Sequence, residues 1–132
     1  MIRDFLVRER GRFVFEPDRT VQLPPASAAD LYVHIPFCRS LCPYCPYNRV
    51  RYEEALVGPY FKALQTELDT YRSLLGGIEI GSIYIGGGTP TTALDRLGSI
   101  IERVDARFRR VGDVAIETTP DDLDQDLSLI HI

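Results

Sequence analysis

The chain has 132 residues, 45% of them hydrophobic and 26% charged, with a formal net charge of −4 at pH 7. This is one domain's worth of sequence at most, with the composition of an ordinary globular protein. The acidic balance gives no electrostatic footprint for nucleic acid or anionic lipid, and no apolar run approaches the ~20 residues of a membrane span.

Residues 1–30 read as an N-terminal extension and linker. Arg3, Arg8, Arg10 and Arg12 interleave with Asp4, Glu9 and Glu16, the pattern of a solvated surface and not of a basic interaction tail. The start of the chain lacks a signal-peptide core. Arg12–Phe15 alternates briefly, and Pro24 and Pro25 begin a connector. The regular part begins at Leu31. Leu31–Ile35 reads as a strand stopped by Pro36, and a cysteine loop follows. A helix is expected from near Gly58-Pro59, with proline in its first turn. Phe61, Leu64, Leu68, Tyr71 and Leu75 recur at helical steps, and Gly76-Gly77 ends the run. Ser82–Ile85 is the second strand and leads into Gly86-Gly87-Gly88-Thr89-Pro90. Leu94, Leu97, Ile101, Val104 and Phe108 repeat the helical spacing, and Asp113–Glu117 reads as a third strand. Strand, loop and helix recurring in this order predict parallel βαβ units, an α/β fold with outer helices. Residues 31–132 thus form the core, about three βα units long.

Strand alternation sorts the side chains. Val33, Ile35, Ile83, Ile85, Val114 and Ile116 fall on one face, and Tyr32, His34, Ser82, Tyr84, Ala115 and Glu117 on the other. Parallel strands covered on both sides normally read as continuous apolar runs. The polar face therefore predicts a lumen that holds a ligand. The cysteines, the glycine run and Glu117 all fall at strand ends, where parallel α/β folds bind ligands.

The three cysteines of the chain, Cys38, Cys42 and Cys45, crowd into the run CRSLCPYC. An odd number at such tight spacing makes no disulfide framework. With no export signal, free thiols point to a reducing, cytoplasmic setting. Three thiolates on one loop suit an iron–sulfur cluster with one open iron. Buried inert thiols and a zinc site are the alternatives, His34 being the one nearby histidine for the latter. Gly86–Pro90 would let backbone lie close to a ligand or serve as a plain turn, with Thr89 or Thr91 as helix N-cap. Glu117 would accept hydrogen bonds from sugar hydroxyls or stand as a surface glutamate. Tyr44 would pack over a cluster or an adenine, or simply within its own loop. His34 reads better as a hydrogen-bonded wall residue than as a ligand, and Tyr32 shares its face.

The spacing Cys38-x3-Cys42-x2-Cys45, with Tyr44 before the last cysteine, resembles the signature of the radical S-adenosylmethionine superfamily. LYVHIPFC, IYIGGGTPT and IETTP at these intervals resemble the oxygen-independent coproporphyrinogen III oxidase family, which includes haem chaperones and related methyltransferases. The resemblance covers about Leu31 to Leu123. It implies a partial (β/α) barrel and a 4Fe-4S cluster on Cys38, Cys42 and Cys45. It further implies S-adenosylmethionine bound by Tyr32, Gly87, Gly88, Thr89 and Glu117, with Tyr44 at the cluster or at a second such molecule. The implied reaction is reductive cleavage of S-adenosylmethionine to a 5′-deoxyadenosyl radical. Its implied partners are a small-molecule substrate such as a porphyrin or haem, and a reductant such as flavodoxin or ferredoxin. The decarboxylating branch carries a further cysteine where this chain has Tyr47, which favours the haem chaperone or methyltransferase branches. Such a barrel needs roughly 200 residues or more. The chain is therefore expected to be an N-terminal portion, with LSLIHI at its end read as foreign sequence.

Overall fold

The computed structural model of the chain describes residues 26–122. Arg12–Phe15 and LSLIHI lie outside the described residues. In chain order come β1 (Ala28–Ile35), β2 (Phe37–Cys38), β3 (Val50–Arg51), α1 (Glu54–Leu75) and β4 (Glu79–Gly87). A 3-10 turn (Pro90–Ala93), α2 (Leu94–Arg107), β5 (Arg109–Arg110), β6 (Val114–Ile116) and a second 3-10 turn (Pro120–Asp122) complete the series.

The sheet is parallel throughout, with β4 between β1 on one side and β5 and β6 on the other. The alternation read from sequence holds where the register is regular: Val33 pairs with Ile85 and Tyr32 with Tyr84. Further back the register slips, Ala29 facing Ile80 but Leu31 facing Ile83. The extra residue in β4 is a bulge, and it lets Ile80 and Ile83 both reach the core although they lie three apart. That slip hides the start of the strand from a period-two reading, which finds only Ser82–Ile85. β1 likewise begins at Ala28, inside the sequence read as linker. β5 was not foreseen, because two arginines carry no strand signature.

Both helices pack into one core with the apolar face of the sheet. Val33, Ile35, Ile83 and Ile85 meet Val57, Phe61 and Leu68 of α1 and Leu97, Ile100 and Val104 of α2. Each fully buried aliphatic side chain contributes about 1.5–3 kcal/mol. The opposite face stays open, with Tyr32, Ser82, Tyr84 and Ala115 exposed. α1 starts at Glu54, four residues earlier than the Gly58-Pro59 signal suggests. The Glu53 carbonyl accepts from the Leu56 and Val57 amides and closes a turn ahead of the proline. Pro59 therefore lies inside the helix, where its missing N–H leaves the Ala55 carbonyl without its usual helical donor. Gly76 ends α1 as expected, at φ +66°, its amide donating to the Arg72 carbonyl. Between the helices, Asp69 accepts from Arg103 and from Arg107 Nε, the latter at 2.9 Å.

Candidate functional site

The cysteine loop is held at both ends. β2 and β3 pair in parallel, the Val50 amide donating to the Pro36 carbonyl and the Tyr52 amide to the Cys38 carbonyl, both at 2.8 Å. Within the loop, the Cys45 amide donates to the Cys42 carbonyl at 3.2 Å, and the Arg49 guanidinium bonds the same carbonyl. All three cysteines are free; Cys38 is buried in β2, while Cys42 and Cys45 are half-buried.

The glycine run comes in from β4. Gly88 donates its amide to the Ile35 carbonyl and Thr89 its amide to the Phe37 carbonyl, each at 2.8 Å. These bonds carry the pairing of β1 and β4 onward into β2 and bring Thr89 beside Cys38. Thr89 opens the first 3-10 turn, but its hydroxyl makes no capping bond. It donates instead to Cys38 Sγ at 3.6 Å, both residues being buried. Thr91 is no cap either and bonds Thr118 and Asp122. Gly87 has φ +124°, and a Cβ there would stand 2.8 Å from His34 Cε1. Close packing against the neighbouring strand thus requires this glycine.

Glu117 follows β6, its amide donating to the Ile85 carbonyl at 2.9 Å. Its Oε2 accepts from the Gly87 amide at 3.0 Å and its Oε1 from the Tyr84 hydroxyl at 2.5 Å. The carboxylate beside it pushes the Tyr84 hydroxyl pKa above the ordinary phenol value, chiefly through that hydrogen bond.

These parts enclose one cavity of about 440 Å³ at the carboxyl ends of the strands. Cys38, Cys42, Cys45, Tyr44, Gly87, Gly88, Thr89 and Glu117 line it, and so do Tyr47, Arg49, Thr119 and Asp122. Tyr44 is 85% exposed, and hydrogen bonding with Cys42 raises the pKa of its hydroxyl. Tyr32 does not line the cavity. It stacks on Tyr84 with ring centroids 5.9 Å apart and 21° between planes, and bonds His34 Nδ1 at 3.0 Å. The other imidazole nitrogen, Nε2, lies 2.9 Å from the Asn48 carbonyl oxygen. Since that oxygen can only accept, Nε2 carries the proton and Nδ1 accepts from Tyr32. Both nitrogens are engaged, so His34 holds the loop and has no lone pair left for zinc. Among the described residues, no three His, Cys, Asp or Glu side chains converge as one bound ion requires. The thiols border a wider space that they share. Sequence reasoning missed the bond from Tyr84 to Glu117. The signal was there, since alternation puts both on the polar face of neighbouring strands.

No family model matches the chain. It is 36% identical over 96 residues to the haem chaperone HemW of Bacillus subtilis, covering 70% of this chain and 25% of that protein. Identity to HemW of Escherichia coli is 34% over 114 residues, 80% of this chain and 28% of that one. The oxygen-independent coproporphyrinogen III oxidase of Escherichia coli is 32% identical over 108 residues, 78% of this chain and 23% of that enzyme. Among solved structures, coproporphyrinogen III oxidase (HemN) from Escherichia coli, titled a radical SAM enzyme, superposes with a TM-score of 0.71 at 28% identity. That match covers 78% of this chain and 25% of the enzyme. The chain thus spans about a quarter of the length of the relatives it matches. Sequence and fold agree: the chain belongs to the radical S-adenosylmethionine superfamily, in the family of the oxygen-independent coproporphyrinogen III oxidases and the HemW haem chaperones.

Proposed function

We propose that residues 31–132 are the cofactor-binding portion of a radical S-adenosylmethionine protein, with Cys38, Cys42 and Cys45 as ligands of a 4Fe-4S cluster. The observation that carries this reading is the shared cavity, where three free thiols, the glycine run and Glu117 meet. Soft thiolate donors suit an iron–sulfur cluster. Gly87, Gly88, Thr89 and Glu117 stand where S-adenosylmethionine would lie beside that cluster. Tyr44 lines the same cavity from the cysteine loop, and Tyr32 lies outside it, stacked on Tyr84. When bound, the cluster supplies the electron for reductive cleavage of S-adenosylmethionine. The residues of the chain would hold the ligands and donate to Cys38 Sγ through Thr89.

Among the described residues no helix is long and apolar enough to cross a membrane. With its free thiols, the chain reads best as cytoplasmic, served by a reductant such as flavodoxin or ferredoxin and acting on a porphyrin or haem. A second reading is a haem chaperone, favoured by the HemW identities and by Tyr47 in the cavity wall. Anaerobic reconstitution tests the first claim. About four irons per chain are expected, with Cys42→Ala failing to assemble the full cluster. Colourless, iron-free, folded protein would overturn it. Production of 5′-deoxyadenosine with dithionite then supports an enzyme, whereas saturable haem binding without that product supports the chaperone.

A further inference from the structure

We infer that Tyr84 is a positioning residue that sets the Glu117 carboxylate for ligand recognition; this rests on the reading of Glu117 as a cofactor contact. Tyr84 lies outside the contacts that the family resemblance assigns. Glu117 is exposed and follows a three-residue strand, so its own backbone offers little to fix its side chain. Two donors do so instead, Tyr84 on Oε1 and the Gly87 amide on Oε2. A carboxylate has about four lone-pair sites, so each oxygen keeps capacity for a ligand hydroxyl after this clamping. The carboxylate lies close over Gly86, where a Cβ would stand 3.0 Å from Oε2. Tyr84 is itself supported. Its ring stacks on Tyr32, whose hydroxyl donates to His34 Nδ1, while His34 Nε2 donates to Asn48 in the cysteine loop. One connected network therefore runs from the cysteine loop to Glu117. The raised pKa of Tyr84 agrees with a hydroxyl that serves an ionised carboxylate.

A double-mutant cycle tests the role in the full chain. In metal-free protein, an absorbance titration of tyrosinate should show a tyrosine ionising at lower pH in Glu117→Gln than in wild type, and a smaller change between Tyr84→Phe and the double variant, where only the weaker charge effect of Glu117 on Tyr32 remains. A tyrosine titration indifferent to Glu117→Gln overturns the proposal without reference to any cofactor. In anaerobically reconstituted protein, S-adenosylmethionine affinity is measured by equilibrium dialysis. Tyr84→Phe keeps the stacked ring and is expected to bind about tenfold more weakly, the effect of one charge-assisted hydrogen bond. Cluster content should stay the same. The double variant should bind no more weakly than Glu117→Gln alone, because Tyr84 acts through Glu117. Wild-type affinity in Tyr84→Phe beside a weakened Glu117→Gln, or additive losses in the double variant, overturns the positioning role alone. Unchanged affinity in Glu117→Gln instead overturns the assignment of Glu117 to the ligand.

Discussion

Gly87 and Gly98 form a matched pair in which the same substitution should act with opposite signs. Gly87 ends β4 at φ +124°, and a Cβ there would stand 2.8 Å from His34 Cε1 and 2.9 Å from the Ile35 carbonyl oxygen. That backbone conformation costs a side chain about 1–3 kcal/mol, and forcing the packed atoms apart adds about 1–3 kcal/mol. The imidazole cannot swing away cheaply, because both its nitrogens are bonded. Gly87→Ala should therefore lower the unfolding free energy by about 2–6 kcal/mol, a large share of the ~5–15 kcal/mol that a domain has. Gly98 is exposed within α2 with nothing within 4 Å of a built Cβ. Alanine there removes the entropic penalty of glycine in a helix, so Gly98→Ala should add about 0.5–1 kcal/mol. Urea titration followed by circular dichroism reads both. With a slope near the middle of the usual range, about 2 kcal/mol/M, the Gly87→Ala midpoint falls by about 1–3 M while that of Gly98→Ala rises by a few tenths. A Gly87→Ala midpoint at or above wild type would refute the strain argument.

Two other expectations rest on the core and on the helix pair. Ile85 is fully buried at the centre of the sheet, so Ile85→Ala should cost about 2–5 kcal/mol; a loss below 1 kcal/mol in the same urea titration would mean that the core collapses around the gap. Asp69 has its pKa held below the ordinary aspartate value, first by the hydrogen bond from Arg103 and then by that from Arg107. In acid the unfolded chain takes up this proton before the folded one does, so stability rises with pH across that interval. The contribution is complete above the ordinary carboxylate value and fades as pH falls through the depressed one. Asp69→Asn should flatten this part of the acid-side stability curve, and an unchanged slope in urea midpoints measured down to pH 2 would count against it.

Much of the site was legible in the sequence because its chemistry is local. Cys38, Cys42 and Cys45 sit on one loop, and Gly87, Gly88 and Thr89 on one turn, so spacing alone brings each set together. The apolar strand faces were legible too, since Val33, Ile35, Ile83 and Ile85 alternate cleanly. What escaped depends on partners far along the chain. Thr89 looks like a helix cap until the turn after β4 docks beside β2 and places its hydroxyl at Cys38. Tyr84 looks like a wall residue until β6 brings Glu117 alongside. The bulge in β4 spoils the period that would have marked its beginning. Ile100 is fully buried while Leu94 is exposed; the sequence stripe holds Leu94 and Ile101 and omits Ile100, because Ile100 and Ile101 both keep helical spacing with Leu97 and Val104 and only the sheet decides which of them turns inward.

Parallel pairing also has a kinetic side. β1 can meet β4 only after the whole of α1 has been bridged, and β4 can meet β6 only after α2. Such distant closures are slow compared with forming a helix or a turn. A chain emerging from the ribosome therefore presents its thiols well before the segments that shelter them have been synthesised. Thr89 bonds the buried Cys38, so the surroundings of this sulfur are completed only once residue 89 has been made, while Cys42 and Cys45 stay half-buried even in the folded chain.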